Sequence, residues 1–121
     1  MTRYLSLEDA TQVVARLGFT MRDAGLLGSA LARPATTLSG VEAYGTVARK
    51  AAALLESVVR NHALIDGNKR LGWVLTSLFL WTNNVTIEVD ADDAFDLVVG
   101  VSAGRYDLDQ VEERISRMLR G

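Results

Sequence analysis

The stretch from Leu71 to Trp81, Leu-Gly-Trp-Val-Leu-Thr-Ser-Leu-Phe-Leu-Trp, carries no charged side chain and is apolar nearly all the way round a helical projection. A helix of that kind has no face to give to water, so it reads as buried on every side with the other elements packed around it. It is well short of the roughly 20 apolar residues needed to cross a bilayer, so the centre it marks is that of a globular fold. The elements around it should be amphipathic, and the sequence supplies them. Ser6 with Asp9 resembles a capping box, after which Leu7, Ala10, Val13, Val14 and Leu17 recur at helical spacing until Gly18 offers a left-handed stop. Thr20 and Asp23 repeat the start signal for a second, short helix through Leu26, Leu27, Ala30 and Leu31, which ends before Pro34 because the proline ring disfavours helix at Arg33. From Thr46 the stripe Val47, Ala51, Leu54, Leu55, Val58 and Val59 predicts a third helix, with Arg49, Lys50, Glu56 and Arg60 on its other faces. Beyond the apolar helix, Asn83-Asn84 is a stop and Val85 to Val89 alternates weakly as a short extended piece. Asp90 with Asp93 starts a helix through Val101 that Gly104 closes, and Asp107 with Gln110 starts the last one, whose inward stripe is Leu108, Val111, Ile115 and Leu119. The expected architecture is all-α: a single domain, 1–121, of about six helices around the central hydrophobic one.

Composition narrows what such a domain does. With 121 residues, 49% hydrophobic and 23% charged, the chain can bury a real core and has room for one site. Cysteine is absent, which removes disulfides, thiolate zinc sites and cysteine nucleophiles and makes a reducing cytoplasm the simplest home. A net charge of −2 argues against broad binding to nucleic acid, and no membrane span or signal-peptide core is expected. The single histidine, His62, gives imidazole chemistry one address.

That address lies in the segment joining the third helix to the apolar one, Arg60-Asn61-His62-Ala63-Leu64-Ile65-Asp66-Gly67-Asn68-Lys69-Arg70. Gly67 takes positive φ without steric cost, so the chain can turn and aim the N–H groups of Gly67, Asn68 and Lys69 into one anion-binding concavity. The helix N-terminus adds partial positive charge, Lys69 and Arg70 add two full charges, and a polyphosphate is the natural guest. Asp66 is the one carboxylate nearby and suits a Mg²⁺ that bridges phosphate oxygens, while His62 is a candidate general base. Plainer readings fit the same residues: Asp66 or Asn68 as an ordinary N-cap, Lys69-Arg70 as a solvated helix start, His62 as a structural histidine. Against them, cations in a first helical turn sit at the unfavourable end of the helix dipole unless an anion arrives. His62 and Asp66 have the spacing of a metal pair, but Gly67 and Asn68 break the helix and no second histidine completes a zinc site, which disfavours zinc. The loop from Pro34 to Gly45 reads as a flap or a solvated connector, Trp73 and Trp81 as core, and Asp90, Asp92, Asp93 and Asp96 as an acidic helix start with no calcium-loop spacing.

The segment from His62 to Arg70 resembles the signature of the Fic/Doc superfamily: His, any residue, Phe, any residue, Asp or Asn, Gly or Ala, Asn, Gly or Lys, Arg. Leu64 stands where Phe is usual and fills that apolar anchor with looser packing. Lys69 is the informative position, because Fic-branch adenylyltransferases usually carry Gly there and death-on-curing (Doc) toxins carry Lys. Supporting similarity runs through Arg22-Asp23-Ala-Gly25-Leu26-Leu27-Gly-Ser29-Ala30, Arg33-Pro34, Gly40 to Tyr44 and Lys50-Ala51-Ala52. The resemblance implies a small helical domain that is the toxin of a toxin–antitoxin module. Its activity would be that of a protein kinase moving the γ-phosphoryl group of ATP, with Mg²⁺, to a hydroxyl of translation elongation factor Tu and so inhibiting translation. Carried over by position, His62 is the general base, Asp66 the Mg²⁺ partner, and Gly67 and Asn68 the phosphate nest. Lys69 and Arg70 neutralise phosphates, and Arg60 joins the same pocket. The long cation at Lys69 leaves less room in the nest, which turns the nucleotide so that the γ-phosphoryl group faces the hydroxyl. The implied partners are the elongation factor and an antitoxin whose disordered C-terminal segment folds into a groove beside the Pro34–Tyr44 flap. The resemblance leaves two alternatives: AMP transfer on the same fold, and an inactive member that only binds nucleotide or peptide, towards which Leu64 is the hint.

Overall fold

The structure is a computed structural model that describes residues 1–120, so Gly121, the end of the expected 1–121 domain, lies outside the described residues. Helix starts are set by side chains. Helix α1 (Leu7–Arg16) begins on Ser6, whose hydroxyl accepts from Asp9 N–H while the Asp9 carboxylate accepts from Ser6 N–H, a reciprocal capping box. Helix α2 (Ala24–Ala32) begins on Asp23 alone, which caps Leu26 N–H; Thr20 takes no part in the cap. Helix α3 (Val47–Asn61) begins on Thr46, α5 (Ala91–Ser102) on Asp90, and α6 (Leu108–Met118) on an Asp107–Gln110 capping box. Helix α4 (Asn68–Thr82) begins on Gly67 without a side-chain cap.

Six α-helices among the described residues carry the all-α expectation, but the centre is not where the apolar stretch placed it. Helix α3 packs against α2, α4, α5, α6 and the 3-10 turn Arg33–Ala35, and buries every residue from Lys50 to Leu55. Small side chains explain this: Ala51, Ala52 and Ala53 let neighbours approach on several sides. A Cβ added at Gly72 of α4 would lie 2.6 Å from Val59 Cγ2, so these two helices meet at close range. Helix α4 buries Leu71, Leu75, Phe79 and Leu80 but leaves its other side open, with Trp73 and Ser77 half-buried and Trp81 66% exposed. The expectation that α4 is covered on every side, with both tryptophans in the core, is therefore corrected. An apolar composition has no polar stripe to mark its outer face, and indole tolerates partial exposure.

Lys50, expected on an outer face of α3, is 1% exposed, and its Nζ donates to the Tyr44 carbonyl and pairs with Glu42 Oε1 at 3.0 Å. Arg33 stays in the right-handed helical region despite the following Pro34, because its guanidinium is fixed by the Tyr44 hydroxyl (2.8 Å), Glu56 (2.8 Å) and Ser57 (3.0 Å). The Pro34–Gly45 loop holds a small hairpin, β1 (Thr37–Leu38) with β2 (Val41–Glu42), turned through Ser39 and Gly40 at φ 51 and 80. Residues 35–42 are all exposed, and Lys50 and Arg33 tie the hairpin's stem to the core. Val85 to Val89 includes β3 (Thr86–Ile87), which pairs with β4 (Leu119–Arg120). Leu119 thus leaves the α6 stripe for a strand, and Met118 takes the buried place at the helix end.

Candidate active site

Helix α3 ends at His62, whose backbone is left-handed at φ 55 and ψ 49. Residues other than glycine enter that region infrequently, histidine more readily than most, and a fixed turn there is helped by outside support. Arg22 provides it: its guanidinium donates to the His62 carbonyl from Nε at 2.9 Å and also from Nη2. The chain then dips into the core, with Ala63 and Leu64 1% and 2% exposed, so Leu64 does fill the apolar anchor position. Residues 20–23 clamp this dip from outside. Arg22 and Asp23 N–H groups donate to the Ala63 carbonyl at 2.8 and 2.9 Å, and Ile65 N–H donates to the Thr20 carbonyl at 3.0 Å. Asn68 closes the turn from within: its Oδ1 accepts from Leu64 N–H at 3.0 Å and its Nδ2 donates to the Leu64 carbonyl at 3.2 Å. At Gly67, φ is +90 and a Cβ would lie 2.6 Å from the Phe19 ring, so only glycine fits.

This turn gathers Asp66, Gly67, Asn68 and Lys69 with His62, and with Ser102 from the end of α5, around a cleft of about 240 Å³. The first N–H of the expected nest is not open. Gly67 N–H is taken by the Asp66 carboxylate at 2.8 Å, which leaves the N–H groups of Asn68, Lys69 and Arg70 without an acceptor among the described residues. The Asn68 side chain is spent on Leu64, so its contribution to the cleft is backbone. Lys69 and Arg70 are exposed, and neither forms an ion pair among the described residues. Arg70 lines the neighbouring cleft between α4 and α5 and not this one. Arg60 is exposed and does not line the cleft; its Nη2 lies 3.5 Å from where a Gly104 Cβ would stand. Asp66 is the only carboxylate of the lining, and no group of three His, Cys, Asp or Glu able to hold a metal occurs among the described residues.

Sequence reasoning missed Ser102, Phe19 and the supporting role of Arg22. Arg22 had a place in the resemblance but no task, because a contact 40 residues along the chain leaves no local trace.

The Fic/DOC family model matches residues 4–80, α1 through most of α4 with the whole His62–Arg70 motif. The chain belongs to the Fic/DOC family. A Fic/DOC relative, "Toxin Doc" of Mycolicibacterium smegmatis, is 43% identical over 121 aligned residues that cover 96% of this chain and 93% of the relative. In Fic/DOC terms the cleft is the motif cleft, and the hairpin β1–β2 stands in the stretch that the resemblance identifies as the flap. No described helix is long and apolar enough to cross a membrane.

Proposed function

We propose that this Fic/DOC chain is the toxin of a toxin–antitoxin module. Its motif cleft moves the γ-phosphoryl group of ATP to a hydroxyl of a protein substrate, translation elongation factor Tu, and translation stops. The observation that carries the reading is the start of α4. Alone among the six described helices it lacks a side-chain cap; it keeps three N–H groups open and places unpaired Lys69 and Arg70 in its first turn. Positive charge at the positive end of a helix dipole costs stability until an anion binds, which is the economy of a phosphate site and not of a solvated helix start. The toxin relative supports the physiological half of the proposal, and Lys69 in place of the Gly usual in Fic adenylyltransferases supports phosphoryl over adenylyl transfer.

The residues divide the work by position. His62 accepts the proton of the substrate hydroxyl as its oxygen bonds to the γ-phosphorus; the bond from that phosphorus to the bridging oxygen breaks and ADP leaves. The N–H groups of Asn68 and Lys69 and the Lys69 ammonium stabilise charge on the transferring oxygens, and Arg70 neutralises phosphate further along the chain. The donor set fits a metal that arrives with its nucleotide: Asp66 Oδ1 is held by Gly67 N–H, and Oδ2 has no partner among the described residues. Mg²⁺ held by Asp66 and phosphate oxygens would supply charge neutralisation. The exposed strand edges of the flap suit backbone pairing with the substrate, and a disordered C-terminal segment of the antitoxin suits a nearby groove. Expression of wild-type chain should arrest growth, and His62→Ala, with about a 10²–10⁴-fold loss of transfer, should abolish the arrest. Growth arrest undiminished in a stably expressed His62→Ala variant would show that this cleft is not the source of toxicity.

A further inference from the structure

The lining of the motif cleft includes one hydroxyl. It belongs to Ser102, the last residue of α5, which lies outside the His62–Arg70 motif and meets His62, Asp66 and Lys69 only through the fold. Elsewhere on the helices, Thr11 and Ser116 spend their hydroxyl protons on the carbonyl one turn back, at 2.7 and 2.8 Å. Ser102 is half-buried and makes no such bond, to Val98 or to any other described residue. Its place is fixed all the same. The chain leaves α5 through Gly104 at φ 72, where the N–H groups of Ala103, Gly104 and Arg105 donate to the Val99, Val101 and Gly100 carbonyls. The Tyr106 ring rests on Gly100 at the spot a Cβ would occupy.

At about 240 Å³ the cleft is smaller than the roughly 300–1,000 Å³ of small-ligand sites, so a phosphoryl group seated in it is within reach of every lining side chain. A serine hydroxyl is the same class of acceptor as the hydroxyl of a protein substrate, and His62 stands in the same lining to take its proton. A phosphate placed on Ser102 also finds partners. Lys69 lines the cleft, and Arg60 reaches the turn after Ser102, with Nη2 3.5 Å from where a Gly104 Cβ would lie. Neither is in an ion pair among the described residues. A phosphoserine at a helix C-terminus faces the negative end of the dipole, and these two cations offset that cost.

We infer that Ser102 is a self-phosphorylation site: without protein substrate, the cleft moves the γ-phosphoryl group of ATP onto its own Ser102 and closes itself. This rests on the reading of the cleft as a phosphoryl transferase. The new bond joins Ser102 Oγ to the γ-phosphorus, and the bond broken is from that phosphorus to the β–γ bridging oxygen. ADP leaves, and the hydroxyl proton goes to the His62 imidazole. Both groups belong to one chain, so the step is intramolecular. The phosphoserine then fills the cleft with about two negative charges and repels the next nucleotide, so each molecule that modifies itself stops transferring.

Purified chain incubated with Mg²⁺ and ATP, without protein substrate, is followed by intact mass and peptide mapping, with γ-label transfer to elongation factor Tu measured alongside. One phosphoryl group should appear on Ser102, at a fractional rate that does not change with protein concentration. Ser102→Ala and His62→Ala should both stay unmodified, while Ser102→Thr, which keeps a hydroxyl, should be labelled. Transfer to the elongation factor by preincubated wild-type chain should fall in proportion to the modified fraction. Transfer to the elongation factor with Ser102 left unmodified, modification at another residue in its place, or a fractional rate that rises with protein concentration overturns self-phosphorylation alone. Undiminished transfer by fully modified chain overturns the closure of the cleft. No transfer to either acceptor overturns the phosphoryl-transfer reading and this inference together.

Discussion

Gly67 answers to two requirements at once, a φ of +90 and the Phe19 ring standing where a Cβ would be. Gly18 has a similar φ of +75 but nothing within 4 Å of its missing Cβ, so the pair separates backbone strain from packing. Gly18→Ala should cost about 1–2 kcal/mol, whereas Gly67→Ala adds an overpacking cost of about 1–3 kcal/mol, both read by chemical denaturation. Gly67→Ala should also lower transfer activity, since the ring can yield only by moving the turn that aims Asn68 and Lys69. The turn itself was legible from Asp66-Gly67-Asn68. The pressure from Phe19 was not, because it comes from a residue 48 positions earlier whose own neighbourhood reads as a connector. Asn68 shows the same limit: as a residue type it suits a cap or a nest, and only the folded turn reveals its side chain bonded to both backbone groups of Leu64.

Among the elements, the flap is held by an arrangement that periodicity hid. Lys50 sits in a run of alanines on α3, reads as an outward cation, and instead reaches through the core to Glu42 and the Tyr44 carbonyl. Lys50→Met keeps the apolar stem and removes the charge. Hydrogen exchange of the amides of residues 37–42 should then speed up by about tenfold or more, with the middle of α3 unchanged. Two exposed carboxylates, Asp9 in the first turn of α1 and Asp96 in the middle of α5, contribute pH dependence. Asp9 is held below the usual carboxylate range by the Ser6 backbone N–H and then by its hydroxyl. Asp96 is lowered by the Tyr106 hydroxyl first and by Arg114, a clasp joining α5 to the α6 side. Both carboxylates bind fewer protons folded than unfolded, so their stabilisation is complete above the unfolded value of about 4 and is lost as pH falls through the lower folded value. Asp96→Asn should flatten that acid limb in denaturation curves measured between pH 5 and 2, roughly the window for such carboxylates.

For the molecule as a whole, caps and stripes predicted the helices well because each is a local matter: Ser6, Asp23, Thr46, Asp90 and Asp107 act within three residues of themselves. Which helix is central is not local. The choice of α3 over α4 depends on how closely small residues let several neighbours approach, and an apolar stretch reports its own hydrophobicity without reporting what covers it. The site was legible as a motif from His62 to Lys69, while Ser102 arrives from α5 by tertiary packing, and Arg60 and Arg70 follow directions that chain proximity does not give. The central claim, that this cleft transfers a terminal phosphoryl group, is tested most directly with ATP labelled on the α or the γ phosphate, incubated with the chain and elongation factor Tu. Label retained on the elongation factor from the γ position alone is the predicted result; label retained from the α position alone would contradict it.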